Sequence, residues 1–172
     1  MSIADYISVI PLAIYYGLFY LFLTNPYNNF TELFLMIYML VCDIIVKILK
    51  QFPYPKSLHY ITNRPKGASN TDYLSRNGLA GNVGGLPSGH MTSITIFSVY
   101  IIYYFLNQTK NKNIYYIIFI NIILILLMAW SRHYKKCHNI FQIICGIIFG
   151  FIMGIIFIYI INYLKKNKEN RI

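Results

Sequence analysis

The chain alternates between long apolar runs and short polar clusters. Five runs stand out, at residues 6–24, 30–50, 88–106, 114–130 and 139–164. Each is close to the roughly 17–25 residues that a membrane-crossing helix needs. The pattern therefore predicts an all-α fold, a polytopic membrane bundle of about five transmembrane helices. Pro11 predicts a kink in the first run, because proline offers no N–H to the preceding turn. The connections at 25–29 and 107–113 are short, and 131–138 is short and basic. The connection at 51–87 is long and polar and holds Gly67, Gly78, Gly81, Gly84 and Gly85. A long loop in a compact protein is usually functional or disordered. Counting five crossings places 51–87 and 131–138 on the same side of the membrane. The whole chain, 1–172, reads as one membrane-embedded domain with a basic tail at 165–172.

Composition sharpens this picture. Hydrophobic residues make up 57% of the chain and charged residues 12%, against about 45–50% and about 25% in ordinary soluble domains. A water-soluble globule, a disordered chain and a disulfide scaffold are all disfavoured. Cys42 and Cys145 sit in apolar runs, where cysteine behaves as a small hydrophobe. No basic segment precedes the first run, so no cleaved signal peptide is expected.

Fifteen Lys and Arg against five acids give a net charge of +10. Such an excess could mark a nucleic-acid partner. Here no cation precedes Lys47, and the rest fall in short segments between apolar runs. Interfacial anchoring is the better reading, and no nucleic-acid partner is expected. With only Asp5, Glu32, Asp43, Asp72 and Glu169 available, paired-carboxylate catalysis and carboxylate metal cages have little material. Asp43 and Lys47, four residues apart, are expected to neutralise one another. Lys135, Lys136 and the tail cations read as membrane anchors. His59 and His133 read as polar lining. His133 and Cys137 make a poor metal site with only two candidate ligands.

Three polar clusters on the common side carry chemistry: Asn63-Arg64-Pro65, Pro87-Ser88-Gly89-His90, and Ser131-Arg132 followed by His138. Together they offer two guanidinium forks, a hydroxyl, two imidazoles and a helix N-terminus. This set suits a phosphoryl group. Arg64 and Arg132 can hold phosphate oxygens, and Ser88 can donate its hydroxyl. The helix starting near Ser88 turns its free N–H groups and positive dipole end toward the loop. Gly89 allows an anion to approach the backbone. One imidazole can attack phosphorus while the other protonates the leaving oxygen.

These clusters resemble the three signature motifs of the type 2 phosphatidic acid phosphatase (PAP2) superfamily. The family pattern is Lys, six residues, Arg-Pro; then Pro-Ser-Gly-His; then Ser-Arg, five residues, His, three residues, Asp. The resemblance covers about 47–146. It implies a metal-independent and cofactor-free lipid phosphatase. In it His138 is the nucleophile that forms a phosphohistidine, and His90 is the general acid and later the base. Arg64, Ser88, Gly89 and Arg132 hold the phosphate. The partners implied are a lipid phosphate or diphosphate and the bilayer.

Two positions depart from the pattern. Ser57 stands where the family lysine belongs, leaving Lys50 and Lys56 as alternatives. Gln142 stands where the family has the aspartate that orients the nucleophile. One helical turn beyond His138, its amide oxygen can still accept the Nδ1–H bond. A glutamine here resembles the dolichyl-diphosphatase-like branch. His138, Gln142, Gly146, Gly150 and Gly154 also recur every four residues, so one helix face is expected to carry the chemistry and a double G-x3-G packing surface.

With Arg64 and Arg132 excluded as ligands, the motif side carries five cations and the tail side six. The positive-inside rule then places the tail in the cytoplasm and the site on the extracytoplasmic or lumenal face. Sequons at Asn29-Phe30-Thr31 and Asn107-Gln108-Thr109 lie too close to spans to be used. The departures also leave a second reading, a weak or inactive PAP2-like protein that binds lipid phosphate. A third, an anion transporter, has no inverted repeat to support it.

Overall fold

The computed structural model describes residues 2–26, 30–66, 68, 84–108 and 114–169. It is helical throughout, apart from one isolated antiparallel bridge between Asn63 and Gly84. The helices are α1 (Ile3–Ser8), α2 (Ile10–Thr24), α3 (Phe30–Lys50), α4 (His59–Thr62), α5 (Gly89–Gln108), α6 (Ile114–Tyr134) and α7 (Ile140–Glu169), with a 3-10 turn at Lys56–Leu58. The five expected spans correspond to the α1–α2 pair, α3, α5, α6 and α7. Three helical segments are long and apolar enough to cross a membrane: Gly89–Asn107, Ile114–Tyr134 and Ile140–Asn167. Helix α2 is apolar but has only 15 residues, and α3 carries Glu32, Asp43, Lys47 and Lys50.

The first run is interrupted as its proline requires. Pro11 cannot donate to the Ile7 carbonyl, and the helix breaks at Val9, whose N–H turns to Tyr6 at 3.1 Å. Helix α6 runs one turn past the sequence expectation. Ser131 and Arg132 therefore belong to a helix rather than to the 131–138 connection. Both are fully buried. The Ser131 hydroxyl donates to the Ala4 carbonyl at 2.8 Å and lies 3.1 Å from the Ser8 hydroxyl. Lys135 forms an ion pair with Asp5. Together these contacts seat α1 against the end of α6.

Helix α5 is the centre of the bundle, packed on α7, α6 and α3. Its closest partner is α7, and glycines make that approach possible. A Cβ on Gly146 would lie 2.7 Å from the Ser88 carbonyl oxygen, and one on Gly150 would lie 2.6 Å from that of Thr92. The G-x3-G face thus lies against α5. At the far end, buried Phe157 of α7 packs on Phe34, Tyr38 and Tyr100, with ring centroids 5.1–5.7 Å apart. The Tyr38 hydroxyl also donates to the Met153 carbonyl at 2.8 Å.

Asp43 and Lys47 do not pair. Lys47 is exposed. Asp43 accepts from the Tyr15 hydroxyl at 2.7 Å and from the Ser93 hydroxyl at 2.9 Å. A carboxylate inside an apolar bundle is satisfied by the donors that reach it through tertiary packing. Gly67, Gly78, Gly81, Arg76, Lys110, Lys112 and Arg171 lie outside the described residues, as do parts of both sequons.

Candidate active site

One end of the bundle gathers the polar clusters. His138 sits on the connector between α6 and α7, 4% exposed. Asn139 caps α7. Its side-chain oxygen accepts from Gln142 N at 2.8 Å, and Gln142 Oε1 accepts from Asn139 N at 3.3 Å. This reciprocal arrangement is a capping box with Asn and Gln in its two places. It fixes the Gln142 side chain against the start of its own helix.

The orientation of the Gln142 amide then follows from its partners. Its nitrogen lies 2.8 Å from the carbonyls of both Ile61 and Asn63. Carbonyl oxygens can only accept, so the NH2 group must face them. The amide oxygen is left for Asn139 N–H and for His138 Nδ1, 3.1 Å away. An amide oxygen cannot donate, so His138 must carry its proton on Nδ1. Its Nε2 is left with a lone pair.

The same amide fastens a second strand of chain. Asn63 pairs with Gly84, and Gly85 N–H donates to the Thr62 carbonyl at 2.6 Å. A Cβ on Gly85 would run into the Gln142 amide, so only glycine allows the loop to close there. Arg64 follows directly, half-buried, with its Nε enclosed and no partner among the described residues. Ser88 is wholly buried, and its N–H donates to the Gln142 carbonyl at 3.2 Å. Its hydroxyl has no partner among the described residues. Gly89 and His90 open α5, where the first N–H groups lack helical acceptors. A Cβ on Gly89 would meet only ordinary contacts, with Val46 and with Lys50 Nζ at 3.8 Å. No protein contact therefore demands glycine at 89.

Arg132 is the largest wholly buried side chain. It donates to Cys137 Sγ at 3.3 Å. His133 is exposed while Cys137 is buried against Arg132, so the two do not form a site. Lys50, at the end of α3, belongs to the cluster. Lys56 is exposed on the 3-10 turn. Burial lowers the His138 pKa to about 3, reinforced by Lys50, Arg64 and Arg132, while the Gln142 bond works the other way. His90 shares the same electrostatic neighbourhood of Arg132, His138, Lys50 and Arg64. Three cations converging on a neutral imidazole make a strongly anion-attracting pocket.

The sequence reading missed Asn139, the contact of Cys137 with Arg132, and the Asp43 partners Tyr15 and Ser93. Asn139 could have been found from the Asn-x-x-Gln spacing ahead of an apolar run. The others meet their partners only through tertiary packing.

A helical membrane bundle that gathers two imidazoles and three cations at one end defines the class of protein. The chain matches the family model described as the PAP2 superfamily over residues 31–166. It belongs to that superfamily, whose fold is a helical membrane one and whose members generally hydrolyse phosphate esters. The match reaches the superfamily and singles out no branch within it. No curated protein and no solved structure matches the chain.

Proposed function

We propose that the chain is a multi-pass membrane phosphatase that hydrolyses a lipid phosphomonoester or diphosphate through a phosphohistidine on His138. One observation carries this reading: the Gln142 amide, fixed by two carbonyls, sets the His138 tautomer that leaves Nε2 nucleophilic among three cations.

In the first step His138 Nε2 attacks phosphorus. A P–N bond forms as the P–O bond to the lipid breaks. His90 gives its proton to the departing oxygen, which leaves as a lipid alcohol or lipid monophosphate. In the second step His90, now the base, takes a proton from water. The hydroxide attacks phosphorus, the P–N bond breaks and inorganic phosphate departs. Lys50, Arg64, Arg132, the Ser88 hydroxyl and the N–H groups at the start of α5 hold the charge that builds on the equatorial oxygens. Gln142 is neutral and cannot offset the imidazolium-like charge of the phosphohistidine as a carboxylate would. The three cations stabilise the phosphoryl oxygens instead. Glutamine at 142 favours a polyprenyl diphosphate over phosphatidate as substrate. The balance of cations favours an extracytoplasmic or lumenal site.

The test is phosphate release by the detergent-purified chain from phosphatidate, a polyprenyl diphosphate and a water-soluble phosphomonoester, in excess EDTA. Release is expected from a lipid, and His138→Ala is expected to lower it by at least about a thousandfold. Full activity in that variant would remove the phosphohistidine. Lipid-phosphate binding without any turnover would make the protein an inactive binder.

A further inference from the structure

At the end of the bundle away from His138, α2, α3 and α5 line a half-open cavity of about 330 Å³, with Gly17, Leu21 and Tyr104 exposed on its walls. Small-molecule sites run from about 300 to about 1,000 Å³. Along α5, Tyr100 lies about 17 Å beyond Gly89 at a rise of about 1.5 Å per residue, so this cavity is separate from the phosphate pocket. Its walls are apolar and aromatic, with Phe97, Tyr100, Tyr104 and Phe105 among them, and they contain a single carboxylate, Glu32.

Two features bear on a ligand, one of space and one of charge. The first is Gly17, inside α2. Glycine in a helix interior costs about 1 kcal/mol relative to alanine. Gly146, Gly150 and Gly154 of α7 are explained by close contact with α5. Gly17 has no such contact: it is exposed, and a Cβ there would meet no atom within 4 Å. It lines the cavity, and its missing side chain leaves room for something else. The second is Glu32. One oxygen accepts from the Tyr100 hydroxyl at 3.2 Å. The other is buried with no partner among the described residues. Such an oxygen calls for a donor. An isolated carboxylate in an apolar wall selects a positively charged one, and neighbouring aromatic rings favour a cation as well.

We propose that this cavity binds a long-chain primary amine. Its ammonium group donates to the second Glu32 oxygen beside Tyr100 and Tyr104, and its alkyl chain lies along Gly17. The two ends of the molecule thus select opposite charges, an anionic lipid phosphate at one and a cationic amphiphile at the other. The amine enters from the bilayer, which holds its alkyl chain beside the exposed apolar mouth of the cavity.

The test uses the full chain in detergent and a long-chain alkylamine bearing a diazirine, with cross-links located by mass spectrometry. Labelling is expected on α2, α3 and α5 around Gly17. Glu32→Gln keeps an acceptor for Tyr100 but removes the charge, and should reduce labelling about tenfold. Gly17→Leu should fill the space and abolish it. The unlabelled amine should compete at least about tenfold better than an alcohol of the same length. Phosphate release should stay at the wild-type rate in both variants, which also shows that they are folded. Should Gly17→Leu fail that control, Glu32→Gln and the alcohol competition decide the matter. Labelling indifferent to Glu32→Gln, labelling spread over the outer helix surfaces, or an alcohol that competes as well as the amine would each overturn the assignment.

Discussion

At the end that carries His138, elements are joined by side chains bonded to backbone. Gln142 alone reaches Ile61, Asn63, His138 and Asn139. At the far end they are joined by rings, with Phe157 packed among Phe34, Tyr38 and Tyr100. The same helices, α3, α5 and α7, serve both ends. The difference teaches where stability and chemistry reside. Apolar burial is far less directional than a hydrogen bond and tolerates small shifts. A hydrogen-bonded clasp specifies donor and acceptor at each atom, as a tautomer requires.

The largest test of this division is Phe157→Ala. It should cost about 3–5 kcal/mol of stability, read as a lowered thermal midpoint in detergent, while kcat per folded molecule stays near wild type. A fall in kcat as large as the fall in stability would mean that the two ends are not separable. Gln142→Asp works in the opposite sense. Aspartate is one methylene shorter and only accepts hydrogen bonds, so the Ile61 and Asn63 carbonyls lose their donor and face a carboxylate. Although aspartate is the residue of the family motif, we expect kcat to fall about a hundredfold, equivalent to about 2.7 kcal/mol. A rate equal to or above wild type would show that charge, rather than the clasp, is what position 142 supplies.

Acid should sharpen the contrast further. The folded chain holds the His138 pKa at about 3, against about 6.5 when unfolded. Between those values the unfolded chain binds more protons, so stability falls as pH falls from about 6.5. The loss should be about 2 kcal/mol by pH 5. Asp5 has its pKa lowered to about 2, first by Lys135 and then by Ser2. Its contribution persists above its unfolded value and fades only in stronger acid. Replacing His138 by Ala should therefore make the profile between pH 6.5 and 4 shallower, whereas Asp5→Asn should leave that window essentially unchanged. The smallest effect separates two lysines. Lys50→Met should lower kcat/KM about tenfold or somewhat more. Lys56→Met, on an exposed turn, should change it less than about twofold. Equal losses would return Lys56 to the site.

The helices were legible because apolar runs of membrane length need no knowledge of partners. The α7 stripe was legible for a related reason: a four-residue repeat stays on one face whatever it packs against. The end of α6 was misplaced by a turn because Ser131 looks like a loop residue until Ala4 accepts its hydroxyl. Asp43 was paired with Lys47 by local spacing. Its true donors, Tyr15 and Ser93, come from helices 28 and 50 residues away in sequence. Lys50 and Lys56 could not be ranked without knowing how the chain after α3 turns. The second task of Gln142 was invisible because Ile61 and Asn63 contribute only backbone, which carries no sequence signature.

The capping of α7 also ties together stretches that lie far apart in sequence. Residues 138–142 are synthesised after Lys50, Arg64, Ser88, His90 and Arg132 are already in place along the chain. The first turn of α7 closes on the 61–63 backbone through Gln142 and brings His138 with it. The start of α7 therefore holds the His138 ring and the 61–63 backbone as one unit, so a change at Gln142 disturbs both.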